Sequence, residues 1–224
     1  MLAGALGLAT AAGALGQVFK WVDENGRVHY GERKPPAAKA TTLTYKPSHS
    51  ANPEANVEIE ESAIEYYPIR GTTPLELHMS MIHNGPFNEI VQRRVYAEIA
   101  TRYRWKFDYT REAGKCRINK FVVTLSATIT MPRWLDEANG TPEARAIWPT
   151  VLAKIRQHED GHKAISTEGA NVLARRLQAL PAYETCEELS RVIGSEGARI
   201  SGEYRLANRA FDRTEALKDS PFKR

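Results

Sequence analysis

Residues 155–164 read IRQHEDGHKA, and within them His158 and His162 lie four apart with Glu159 between. On an α-helix, residues three and four apart share a face, so this H-E-x-x-H pattern gathers two imidazoles and a carboxylate. Where that face looks decides what the helix packs on. Taking about 100° per residue from Ile155, the residues Trp148, Val151, Leu152, Glu159, His162, Gly169 and Leu173 fall within about 60°. His158 lies at that limit. The motif therefore points with the apolar stripe, towards a core.

Two imidazoles and a carboxylate buried without partners would be costly. A zinc ion removes that cost. Neutral imidazoles at i and i+4 bind one Zn²⁺ at about 2.0–2.1 Å, and the intervening Glu reaches the water in the fourth position. In this reading His158 and His162 are ligands and Glu159 is the general base. The alternative is a metal-free His–Glu–His hydrogen-bond cluster. Gly161 costs about 1 kcal/mol relative to Ala inside a helix, and close approach of another backbone would account for it.

Outward from the motif, the helical pattern runs from Pro142 to Leu180, with Thr141 as cap, Pro142 in the first turn and Pro181 as stop. A second helix is expected from Thr185 to about Ala210. Ahead of them, TPLELHMSMIHNGP (73–86) reads as a shorter helix capped by Thr73. Its His78 and His83, five apart, share a face poorly and suit surface or packing roles. The runs RYRWKFDYT (102–110) and RINKFVVTLSATITMP (117–132) read as strands joined at the turn REAGK. VEIEESAIEYYPI (57–69) is also strand-like. The expected fold is α+β: an antiparallel, meander-like sheet packed on two long helices.

The 224 residues are 42% apolar and 26% charged, which suits a folded protein with one good-sized core. The net charge of +4 comes from scattered Lys and Arg, clustered only at Arg93-Arg94 and Arg175-Arg176. No dense basic stripe with interleaved aromatics exists, which argues against nucleic acid as a partner. Weak attraction to an anionic cell envelope fits the charge.

Residues 1–16, MLAGALGLATAAGALG, are uncharged and end in small residues of the kind a signal peptidase cleaves. They are read as a signal peptide whose positive start lies upstream, the alternative being a retained apolar helix. Two cysteines, Cys116 and Cys186, agree with export. A bond between them would close a loop of about 70 residues and stabilise by about 4 kcal/mol on the chain-entropy model. Two buried free thiols are the alternative.

The stretch VFKWVDENGRVHY (18–30) has two alternating runs around Asn25-Gly26, a strong hairpin signal. A two-residue turn would set Trp21 opposite Tyr30 and Glu24 opposite Arg27. Through Lys20-Trp21-Val22-Asp23, Asn25-Gly26 and Val28-His29-Tyr30 it resembles a small N-terminal module, of unknown function, found on many exported proteobacterial proteins. His29 is read as structural. Residues 34–57, rich in Pro, Ala, Ser and Thr, read as a linker holding a solvated His49. The expected divisions are 1–16 signal peptide, 17–33 hairpin module, 34–57 linker, 58–218 main domain and 219–224 tail.

From about residue 60 to 215 the chain resembles a bacterial family of exported proteins described as predicted secreted zinc-dependent proteases. The matching features run in order: YPIRG (67–71), NGP (84–86), an aromatic-rich strand, Cys116, MPRW (131–134), QHEDGH (157–162) and Cys186. The resemblance implies a zincin-like fold, a zinc cofactor and a peptide or protein substrate. It departs at the far end, where the family carries a Tyr-Asp, a Thr and then His-Gly. Here FDRTEALKD (211–219) has no histidine, and a catalytic zinc takes three protein ligands. Asp212 is the expected third ligand. Glu203 is its rival, on the apolar face of the last helix with Glu196. A non-catalytic envelope protein of the same fold and a hydrolase of peptidoglycan cross-links are the alternative functions. Oligomeric state is not legible.

Overall fold

The computed structural model describes residues 56–215 except residue 90, residue 222, and three strands nearer the N-terminus as backbone. The chain divides into two units, Met1–Lys46 and Pro47–Arg224. In the first, β1 (Val18–Val22) pairs antiparallel with β2 (Val28–Gly31) and with β3 (Ala40–Leu43). Trp21 lies opposite His29 and Lys20 opposite Tyr30, one residue away from the register a two-residue turn would impose. The stretch ATTL of β3 falls inside the expected linker, where its β-branched threonines support a third strand. Residues 1–16, expected to be a signal peptide, His49 and most of the expected linker and tail lie outside the described residues.

In the second unit the spine is β9 (Lys115–Trp134). On one side it pairs in parallel with β4 (Val57–Ile59) and β5 (Ala63–Ile69), from Val57↔Val123 to Ile69↔Trp134. On the other side β8 (Glu98–Glu112) runs antiparallel to it, from Glu98↔Thr130 to Glu112↔Lys115. The β8–β9 turn is Ala113-Gly114, both at positive φ (49° and 80°), as a two-residue hairpin turn with the strands' own twist requires.

The expected antiparallel, zincin-like meander on two long helices is therefore wrong. Two of the three pairings of β9 are parallel, and the short helix expected at 73–86 joins the two long ones among the described residues. The physical reason is the connection. A parallel pair needs a long crossover, and the chain supplies one between β5 and β9. It consists of α1 (Pro74–Asn84), the small hairpin β6 (Phe87–Asn88) and β7 (Arg93–Arg94), and β8. Joining strands in sequence order misses such a pairing. Helix α1 starts with a capping box in which Thr73 and Glu76 satisfy each other's backbone N–H groups, and it buries Leu77 and Met81.

The long helices are α2 (Pro142–Gln178), capped by Thr141, and α3 (Cys186–Glu215). The core falls into two clusters. One joins Ile69, Leu77, Met81, Ile129, Trp134, Trp148, Val151 and Ile155. The other joins Val123, Leu125, Leu173, Leu177, Leu189, Ile193 and Ile200. Helix α2 contributes residues between Ala144 and Ile155 to one and residues between Ala170 and Leu177 to the other. The polar stretch holding His158, Glu159, His162 and Ser166 lies between them. A disulfide links Cys116 to Cys186, fastening the start of β9 to the first residue of α3. Beside it, Cys116 and Tyr183 exchange backbone hydrogen bonds at 2.7 and 2.8 Å.

Candidate metal centre

Helix geometry puts His158, Glu159 and His162 on the inner face of α2, with Glu159 3% and His162 7% exposed. Helix α3 packs along this face and brings Asn208, Phe211 and Asp212 to it. Oδ1 of Asp212 lies 2.9 Å from Nε2 of His162 and 3.3 Å from Nε2 of His158, and the two Nε2 atoms are 3.2 Å apart. The Nδ1 of His162 faces Oδ1 of Asn208 at 2.9 Å.

Electrostatics follow from this crowding. Burial raises the Glu159 carboxyl above its ordinary pKa, and the two imidazoles offset only part of that rise. Burial also works against ionised Asp212, yet hydrogen bonds from His158 and His162 hold it well below the usual carboxylate range. For His162, burial pushes the imidazole down, while the hydrogen bond and charge of Asp212 outweigh it and leave the group raised. Without a metal, raised His162 and lowered Asp212 both favour a proton shared as an ion pair across the 2.9 Å contact.

Three atoms that accept rather than donate when each imidazole is neutral and carries its proton on Nδ1 therefore converge on one point. Ligands of a tetrahedral ion at about 2.0–2.1 Å stand about 3.3 Å from one another. The separations here, 2.9, 3.2 and 3.3 Å, match that spacing with a small expansion. His158, His162 and Asp212 fit a metal ion and can hold one.

The ring of Phe211 explains Gly161. A Cβ on residue 161 would meet Phe211 Cζ at 2.5 Å, so it is a side chain, not a backbone, that approaches the helix there. The same ring stacks on His158 with centroids 5.1 Å apart and meets His162 edge-on at 4.9 Å. It walls one side of the metal group.

Other residues named from sequence lie elsewhere. Glu203 and Glu196 both pair with Arg199, at 2.8 and 2.7 Å, outside the group. His78 meets the Tyr96 hydroxyl at 3.3 Å and the Phe222 ring edge-on at 5.2 Å, a packing role. His83 turns its Nδ1 to the Met79 carbonyl. Two neighbours went unread in the sequence. Asn208 lies one helical turn before Asp212, a spacing that could have revealed it. Glu98, at the start of β8, interacts through its charge with both Glu159 and Asp212. Nothing in its sequence surroundings marks it.

Residues 64–219 match the family described as "Bacterial protein of unknown function (DUF922)". The chain belongs to this family. The DUF922 segment contains β5 from its second residue on, the helices α1, α2 and α3, and every residue of the metal group. Residues 5–58 match a "Domain of unknown function (DUF4124)", which covers the three-stranded N-terminal sheet. No curated protein and no solved structure matches the chain. No helix among the described residues is long and apolar enough to cross a membrane.

Proposed function

We propose that this DUF922 protein is a zinc-dependent peptidase acting outside the cytoplasm on peptide or protein substrates. The observation that supports it above others is the convergence of His158 Nε2, His162 Nε2 and Asp212 Oδ1 beside buried Glu159. Two imidazoles and one carboxylate leaving a fourth position open are a ligand set of catalytic zinc. Bound there, zinc supplies Lewis-acid polarisation of a carbonyl and a lowered pKa for water. Glu159 takes the proton as water oxygen bonds to the peptide carbon, and delivers it to the amine nitrogen as the C–N bond breaks. Its raised pKa brings the base closer to neutral pH, where such transfer is efficient.

Location outside the cytoplasm fits the Cys116–Cys186 disulfide, since reducing compartments keep such pairs open. It also fits the apolar, uncharged residues 1–16. The deciding experiment is metal analysis of the purified protein with turnover of casein and of peptidoglycan sacculi by wild type and Glu159→Gln. Bound zinc in both proteins, with turnover lower by about 10²–10⁴ in the variant, is the expected result. A wild type that takes up no zinc, or a variant as active as wild type, overturns the reading.

A further inference from the structure

Behind His162 runs a chain of polar side chains that ligand duty does not explain. The Nδ1 of His162 faces Asn208 Oδ1 at 2.9 Å, and Asn208 Nδ2 donates to Ser166 Oγ at 3.2 Å. Ser166 Oγ in turn meets Thr101 Oγ1 at 3.1 Å, while Tyr103 donates to the Ser166 carbonyl at 2.9 Å. The chain links α3, α2 and β8. Ser166 is fully buried, where a hydroxyl without partners would cost more than an Ala methyl.

A neutral imidazole carries one N–H and one lone pair, and its partners choose which nitrogen holds the proton. An acceptor at Nδ1 keeps the proton there and leaves the Nε2 lone pair facing His158 and Asp212. With the carboxamide turned over, an N–H would face Nδ1 instead. The proton would then sit on Nε2, donating to Asp212, and that nitrogen could not bind metal. We infer that Asn208 is a positioning residue that selects the metal-binding tautomer of His162, with Ser166 and Thr101 holding its carboxamide in place. The inference rests on the metal reading above and adds to it the control of ligand protonation from outside the ligand set.

The test is zinc affinity of the full chain, by competition with a chromophoric chelator, for wild type, Asn208→Leu and Asn208→Asp. Leu fills similar space without an acceptor. Asp keeps an acceptor at Nδ1, gives up the donor to Ser166 and adds a negative charge that favours a bound cation. Loss of such an outer partner typically weakens metal binding about 10–100-fold, and that is expected for Asn208→Leu. Asn208→Asp should bind at least as tightly as wild type, and cobalt(II) absorption should show unchanged coordination. Equal affinity of wild type and Asn208→Leu overturns the inference and leaves the zinc reading standing. Equal losses in both variants also overturn it, since the site would then respond to packing alone. If Asn208→Leu does not fold, Asn208→Asp decides, and weaker binding than wild type sinks the inference. A wild type that binds no zinc removes both readings together.

Discussion

Nε2 of His162 and Oδ1 of Asp212 stand 2.9 Å apart although 50 positions separate them in sequence. At that distance a carboxylate and a neutral imidazole nitrogen need either a proton or a cation between them. The two states make different demands on pH.

In the metal-free protein the proton fills the gap. His162 is raised, so its contribution is complete below the unfolded value of about 6.5 and is lost as pH rises through the folded one. Asp212 is depressed, so its contribution is present above about 3.9 and is lost as pH falls through its folded value. Raised Glu159 adds a further loss as pH climbs above about 4.3. Chelator-treated protein should therefore melt at its highest temperature in mildly acid solution and lose stability towards alkaline pH. In Asp212→Asn the alkaline decline should shrink. Parallel melting profiles for the two proteins would show that the pair contributes nothing.

Gly161 makes room for Phe211, and that contact can be tested directly. A Cβ at 2.5 Å from Cζ forces the ring, and with it the adjoining Asp212, away from the helix. Gly161→Ala should destabilise by about 1–3 kcal/mol, the usual range for overpacking, despite the better helix propensity of Ala. Metal affinity should fall as well. In a Phe211→Leu background most of the cost should vanish, so a double-mutant cycle on thermal stability should show coupling. Additive effects would mean that the ring yields freely.

Part of this site was legible in sequence because helices repeat locally. The spacing of His158, Glu159 and His162 against Trp148, Val151 and Ile155 revealed the inner face of α2 with no tertiary information. Asp212 came from a family resemblance at Phe211-Asp212, not from spacing. Sheet order was not legible, because the parallel match of Tyr67 with Pro132 depends on a crossover that local pattern does not encode. Register in the N-terminal hairpin failed for a related reason. Asn25-Gly26 marks where a turn belongs but not how many residues it takes, and Trp21 came to face His29. Glu98 reaches the site only through the sheet's assembly, so no sequence window contains it.

The disulfide holds two elements that pack together at the edge of the second core cluster. Cys116 is fully buried in that cluster, and its bond to Cys186 spans a sequence separation of 70. Closing a loop of that size is worth about 4 kcal/mol on the chain-entropy model. Reduction under native conditions should be slow, and the reduced protein or Cys116→Ser/Cys186→Ser should melt well below the oxidised form. Thiol titration of denatured, unreduced protein should find no free thiol. Two titratable thiols would contradict the bond.

Asp212 and Glu203 competed as third ligand on sequence grounds, and their surroundings now separate them. Asp212 places Oδ1 within 3.3 Å of both Nε2 atoms, whereas Glu203 accepts a hydrogen bond from Arg199 at 2.8 Å on its own helix. Removing a direct ligand should weaken zinc binding beyond the roughly 10–100-fold typical of outer-shell losses. Asp212→Ala should do this, and Asp212→Glu should recover part of the affinity because an acceptor oxygen returns on a longer stem. Glu203→Ala should leave zinc affinity unchanged and cost at most about 0.5 kcal/mol through a lost helix-surface pair. The measurement is the same chelator competition for all three variants, beside melting curves in chelator that check folding. Zinc lost with Glu203→Ala but kept with Asp212→Ala would reverse the assignment and move the metal away from the His158–His162–Asp212 group.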